Sequence, residues 1–236
     1  QAIQTGALSP RRLTLVEGSP PRRRHLKRVG MHQHLRIRIA IVNRILEAVS
    51  TLPPDAAHKA PIMFSAHSLP MQVVSGRGDP YPPEVAATVA NVMQKLGWSN
   101  PYRVTWQSKV GPAAWLGPQT AETLQGWAKQ GHKHAIVVPV AFTSDHIETL
   151  YELDIELQED AKEAGVQLVR APSLNDEPVF LRALADMVSE HLSSDSRGTR
   201  PWAQGKASHQ LSLQCPGCTN EECGPQKTFF MGSCIA

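Results

Sequence analysis

The chain has 236 residues, 41% of them hydrophobic and 19% charged, with a net charge of +3. This is globular composition, and it excludes a fully disordered or fibrous chain. No apolar run approaches the ~20 residues that a bilayer-crossing helix needs; residues 135–142 make a run of only eight. The charge is uneven. Residues 1–50 carry ten Lys/Arg against two Glu, and the remaining 186 carry fourteen against nineteen acidic residues. A basic front end on a mildly acidic body implies two segments of different character, not one nucleic-acid-binding surface.

Residues 1–33 form the basic segment. Positions 1–30 show no helical or strand period, contain Pro10, Pro20 and Pro21, and read as unstructured. Rich in Arg and poor in acid, the segment superficially resembles a mitochondrial transit peptide; a solvated basic tail is the plainer reading. From Leu35 the pattern changes. Leu35, Ile39, Val42, Ile45, Leu46 and Val49 recur at three- and four-residue steps, which predicts an amphipathic helix ending near Thr51, before Pro53 and Pro54. Strands are then expected at 61–66, 102–107, 134–140 and 166–170. Helices are expected at 83–96, 120–130, 145–164 and 177–192, with Gly131 and Gly165 closing the second and third of these. Strands alternating with helices predict βαβ units and a parallel sheet. One α/β domain over 34–195 is therefore expected, followed by a polar linker and a cysteine-bearing tail over 196–236.

Sites in such sheets form beyond the carboxyl ends of the strands. Two segments fall there. The first is Ser65-Ala66-His67-Ser68-Leu69-Pro70, in which His67 follows the first strand. The second opens the helix after the third strand, with Ser144 as the expected N-cap and Asp145, His146, Glu148, Glu152 and Glu156 behind it. Steps of three and four residues put these carboxylates along one helical face, where like charges repel unless cations compensate. A solvated acidic face has the same pattern. The adjacent His instead points to a divalent ion such as Fe²⁺, and a wide π turn could realign the ladder. All four cysteines lie in the last 22 residues, and clustering of this kind points to a metal or redox site rather than a disulfide framework. Cys215, Cys218 and Cys223 have the spacing C-x₂-C-x₄-C, compatible with zinc or an iron–sulfur cluster. Both want four ligands. Cys234 or a residue elsewhere could be the fourth.

Three stretches are recognisable: IMFSAHSLPMQVVSGRGDPYP, NPYRVTWQSKVGPAAWLGPQT and VVPVAFTSDHIETLYELDIE. They closely resemble animal ferrochelatase, over its second half only. The resemblance implies one of that family's two similar chelatase α/β domains. It implies insertion of Fe²⁺ into protoporphyrin IX to form protohaem, by an enzyme on the matrix side of the mitochondrial inner membrane and usually homodimeric. By motif, His67 is similar to the active-site His and Glu148 to its carboxylate partner. Asp145, His146, Glu152 and Glu156 resemble the polar lining that meets metal or solvent, with Asp186 and His34 as further recurrent polar positions. Trp115 and Phe142 resemble aromatic contacts of the pocket. Cys215, Cys218 and Cys223 resemble three ligands of the animal [2Fe–2S] cluster, whose fourth ligand belongs to the half not represented here. The chain is thus expected to be a truncated ferrochelatase. Two other readings stay open: a chelatase for another metal or tetrapyrrole, and an inactive half-enzyme that binds a partner or regulates.

Overall fold

The structure is a computed structural model and describes residues 35–76, 79 and 81–192. The basic segment, His34, the linker and all four cysteines lie outside the described residues. Strands β1 (Ile62–His67), β2 (Tyr102–Gln107), β3 (His134–Pro139) and β4 (Gln167–Arg170) form one sheet in the order β2-β1-β3-β4, with every pair parallel. The helices are α1 (Leu35–Ser50), α2 (Tyr81–Lys95), α3 (Thr120–Lys129), α4 (Ile147–Leu150), α5 (Leu157–Glu163) and α6 (Pro178–Leu192). The expected parallel α/β sheet flanked by helices is what forms. Among the described residues no helix is long and apolar enough to cross a membrane.

Side chains on a strand alternate between faces, and the sequence of β1 shows what each face receives. Ile62 and Phe64 pack with Ile136 and Val138 against α1, α2 and α6. Met63 packs with Ala135 and Val137 against α3 and α5. A strand covered on both faces reads as a continuous apolar run, and residues 62–66 are all fully buried. The apolar stripe of α1 is rotated from the expected one. Leu35 is 49% exposed, whereas Ile37, Ala40 and Ile41 are buried. The cause is that α1 packs on α2 and α6 as well as on the sheet, so its buried face is wider than one stripe.

Local chemistry ends the elements. Thr51 and Ser50 donate hydroxyl hydrogen bonds to the carbonyls of Ala48 and Glu47 at 2.8 and 2.6 Å, closing α1. Gly131 (φ 90°) and Gly165 (φ 68°) follow the ends of α3 and α5 in the left-handed region, as glycine there permits. The long helix expected at 145–164 is broken into α4, a π-helical turn over Glu152–Glu156, and α5. The amide of Glu156 donates to the Tyr151 carbonyl at 3.0 Å, five residues back, which defines the wide turn. A second π-helical turn, Gln72–Gly76, precedes α2 and was not expected.

Candidate active site

The strand order reverses between β1 and β3. The connection from β1 goes outward to β2 through α2, and that from β3 goes outward to β4 through α4 and α5, on the opposite face. Such a switch point leaves a crevice beyond the carboxyl ends of the two strands. His67 is the last residue of β1, and Glu148 opens the helical segment after β3. Nδ1 of His67 lies 2.8 Å from Oε2 of Glu148. Both side chains are about one-third exposed, at 38% and 32%. An ionised carboxylate only accepts, so Nδ1 carries the proton in this pair. In the neutral ring the lone pair is then on Nε2.

Around the pair the odd-numbered face of the sheet turns polar. Ser65 is fully buried and donates to Oε1 of Gln107 at 2.6 Å, and its hydroxyl lies 2.8 Å from that of Thr120. Nε2 of Gln107 donates to the Glu148 carbonyl at 2.8 Å and to Glu152 Oε2 at 3.0 Å. Ser108 donates to the same Glu152 oxygen at 2.8 Å. Gln107 thus links the buried end of β1 to both carboxylate-bearing positions. Glu152 and Glu156 line one open groove of about 470 Å³, beside Gln107 and Ser108, and Glu156 is exposed.

Tyr81 completes the surroundings. Its ring packs on Trp106, with centroids 5.8 Å apart. Burial, and then the nearby Glu148 carboxylate, push its phenol up to about 12, against a weaker opposing pull from the His67 backbone. It therefore stays protonated through the neutral range.

The acidic residues do not share one face. Asp145 turns toward the end of β4. It accepts from Ser173 at 2.6 Å, Asn175 at 2.9 Å, Arg170 at 3.1 Å and Thr149 at 3.3 Å. Burial raises its pKa, but these bonds and the Arg170 charge outweigh that and hold it below the ordinary carboxylate value. The N-cap of α4 is His146, not Ser144. Its Nδ1 accepts the Glu148 amide at 3.2 Å, while the His146 amide donates to the Thr149 hydroxyl at 3.0 Å. An imidazole nitrogen with a free lone pair can cap as a hydroxyl does, and sequence preferences that favour Ser and Asp hide this.

The remaining candidates scatter. Phe142 is buried and packs on His146, ring centroids 5.0 Å apart. Trp115 lies over the segment after β1, bridged to Pro70, and its indole nitrogen is buried without a partner. Asp186 is on α6 and pairs with Arg36 of α1 at 2.9 Å, on the other face of the sheet. Among the described residues no three His, Cys, Asp or Glu side chains converge as a metal cage would. Gln107, Tyr81 and Arg170 were not foreseen. Gln107 and Arg170 carried a signal, since each is a polar residue at the carboxyl end of a strand.

A ferrochelatase family model matches residues 30–192, which include all three recognisable stretches. Mitochondrial ferrochelatase of Bos taurus is 54% identical over 190 residues, covering 80% of this chain and 43% of that protein. That of Homo sapiens is 51% identical over 199 residues, 84% of this chain and 44% of that protein. That of Drosophila melanogaster is 42% identical over 193 residues, 81% and 48%. The chain therefore spans less than half the length of these curated relatives. A solved structure titled as a putative cobalamin (vitamin B12) biosynthesis CbiX protein from Marinobacter aquaeolei VT8 covers 56% of this chain and 97% of that one, at 18% identity and a TM-score of 0.40, a likeness too slight to carry an argument. With a family model matched over more than half its residues, the chain belongs to the ferrochelatase family.

Proposed function

We propose that this chain carries the proton-accepting side of a ferrochelatase site, which inserts Fe²⁺ into protoporphyrin IX to form protohaem. The observation that carries the reading is the His67–Glu148 pair at the sheet's switch point, 2.8 Å apart and open to solvent. Metal insertion must remove two N–H protons from the macrocycle and strip water from the metal. With Nδ1 bonded to Glu148, His67 keeps Nε2 free to accept a pyrrole proton, and Glu148 stabilises the imidazolium that results. Glu152 and Glu156, along the groove, hold a partly hydrated cation and relay protons outward, while His146, which caps α4, and Asp145, bonded to Arg170, Ser173, Asn175 and Thr149, fix the segment that carries them. Tyr81, protonated beside Glu148, adds no negative charge to the site.

Ile147, 73% exposed next to Glu148, is the apolar side chain beside the pair; Trp115 and Phe142 are the aromatic contacts that the family resemblance adds. An exposed apolar side chain beside a polar pair suits a flat hydrophobic ligand. Asp186, on the other face of the sheet, is a further polar position of the same reading, as is His34, which lies outside the described residues. The relatives' names support a mitochondrial location; attachment to the matrix side of the inner membrane and a homodimer are part of the proposal. The [2Fe–2S] cluster of the family would take Cys215, Cys218 and Cys223. The donor set stops at three thiolates unless Cys234 joins, so this chain is expected to hold a cluster weakly or not at all, and no step above runs through it.

The test is a hybrid in which residues 35–192 replace the matching segment of the Bos taurus enzyme. Supplied anaerobically with Fe²⁺ and protoporphyrin IX, it should form haem. A folded hybrid that binds porphyrin, seen as quenched porphyrin fluorescence, yet forms no haem would overturn the reading. It would favour the inactive, partner-binding half-enzyme instead.

A further inference from the structure

Arg170 ends β4, and its side chain is only 15% exposed. Its Nε donates to Asp154 in the wide turn. Its NH1 donates to Asp145 Oδ1 at 3.1 Å, just before α4, and to Ser173 at 3.4 Å. The two carboxylates flank the stretch that carries Glu148 and Glu152. One guanidinium therefore ties both ends of that stretch to the sheet.

The stretch is capped by His146 and tied to β2 and the segment after it by Gln107 and Ser108, but its own helical pieces are short. α4 is four residues long and runs into a turn that departs from the α-helical bond pattern. Short helical pieces lack the cooperativity that keeps a long helix in place. The planar fork of arginine presents donors on separate nitrogens in a fixed geometry, whereas the three donors of lysine all sit on one nitrogen. Asp145 also accepts from Ser173, Asn175 and Thr149, so this end of the clamp is itself rigid. Its oxygens are fully engaged in holding the chain.

We propose that Arg170 is a positioning residue: by clamping Asp145 and Asp154 it sets the segment so that Glu148 reaches Nδ1 of His67. Its functional meaning rests on the reading of His67 and Glu148 as the proton-accepting pair. The geometric claim is tested without turnover, so the two can fail separately.

The experiment uses the 236-residue chain with ¹⁵N-labelled histidine rings at neutral pH, the His67 signal being assigned by its loss in His67→Ala. Glu148→Ala gives the position of the His67 Nδ1 resonance without its partner. Arg170→Leu should move that resonance most of the way to the same position. Arg170→Lys should move it part of the way, and Asp154→Asn should shift it less but in the same direction. If Arg170→Leu does not fold, judged by circular dichroism, the two milder variants decide. A His67 resonance that stays at its wild-type position in every folded variant overturns the proposal. So does a variant that only lowers the melting temperature, since a purely structural role would do that and leave the His67–Glu148 bond intact. If the resonance moves as expected while the hybrid enzyme makes no haem, the clamp stands and the ferrochelatase reading falls.

Discussion

The two faces of the sheet come from the same four strands, yet from mid-strand to the carboxyl ends of β1 and β2 one stays apolar and the other turns polar. On the face under α1, α2 and α6, Ile62, Phe64, Ile136 and Val138 are buried, and Ala66 and Trp106 continue the apolar row toward the carboxyl ends. On the face under α3 and α5, Met63, Ala135 and Val137 begin the same way. Then Ser65, Thr105, Gln107 and His67 take over. Strand alternation lets one sequence write both rows at once. The larger buried core lies on the uninterrupted face and the candidate site on the interrupted one. Buried polar groups are tolerated there because they are bonded to one another.

That division is open to attack, and the largest effect should come from the apolar face. Phe64→Ala removes a fully buried ring and should cost about 3–5 kcal/mol in urea unfolding. A loss well under that would mean that this face is not where stability resides. Next comes the polar ledge. Gln107→Ala leaves the Ser65 hydroxyl with only Thr120, and takes a donor from the Glu148 carbonyl and from Glu152; it should cost about 1–3 kcal/mol. In the hybrid enzyme it should also lower turnover, because the carboxylate segment loses its link to β1. Unchanged turnover would detach Gln107 from the site.

A smaller effect concerns pH. Asp145 has a folded-state pKa below its unfolded value, so its contribution is present above about pH 4 and is lost as the pH falls through the folded value. Asp145→Asn should flatten the acid limb of the stability curve in that window. Tyr81, raised to about 12, works in the opposite sense. Its contribution is present below the unfolded value near 10 and is lost as the pH rises toward 12, so Tyr81→Phe should soften the alkaline limb. Smallest of all is the stability change in His67→Ala, expected within about 1 kcal/mol for a part-exposed hydrogen-bonded pair. If it destabilised the fold as much as Phe64→Ala, the division between the faces would be gone.

Much of this was legible in the chain. The strand and helix periods, the C′ glycines and the placement of His67 and Glu148 beyond strand ends all follow from local pattern and from the parallel topology that pattern implies. Ser65 and His67 alternate with apolar Phe64 and Ala66 along β1, but local pattern does not show that Thr105 and Gln107 share their face. What sequence spacing hid depends on backbone bends and partners distant in sequence. A regular helix over 145–164 would align Asp145 with Glu148. The extended cap residue His146, with α4 starting only at Ile147, and the pull of Arg170, 25 residues on, instead send them to different strands. The imidazole cap of His146 escaped notice because Ser144 fits the usual preference. Local pattern puts Gln107 at the carboxyl end of a strand, but not beside His67; that comes from the register of β2 on β1.

The central claim is that His67, held by Glu148, accepts protons from the macrocycle. The most direct measurement is haem formation by the hybrid enzyme carrying His67→Ala, with porphyrin binding followed in the same preparation by fluorescence. The account predicts retained folding and porphyrin binding with turnover reduced about 100-fold or more, the scale of a lost general base. Near-normal turnover in a folded His67→Ala hybrid would contradict it.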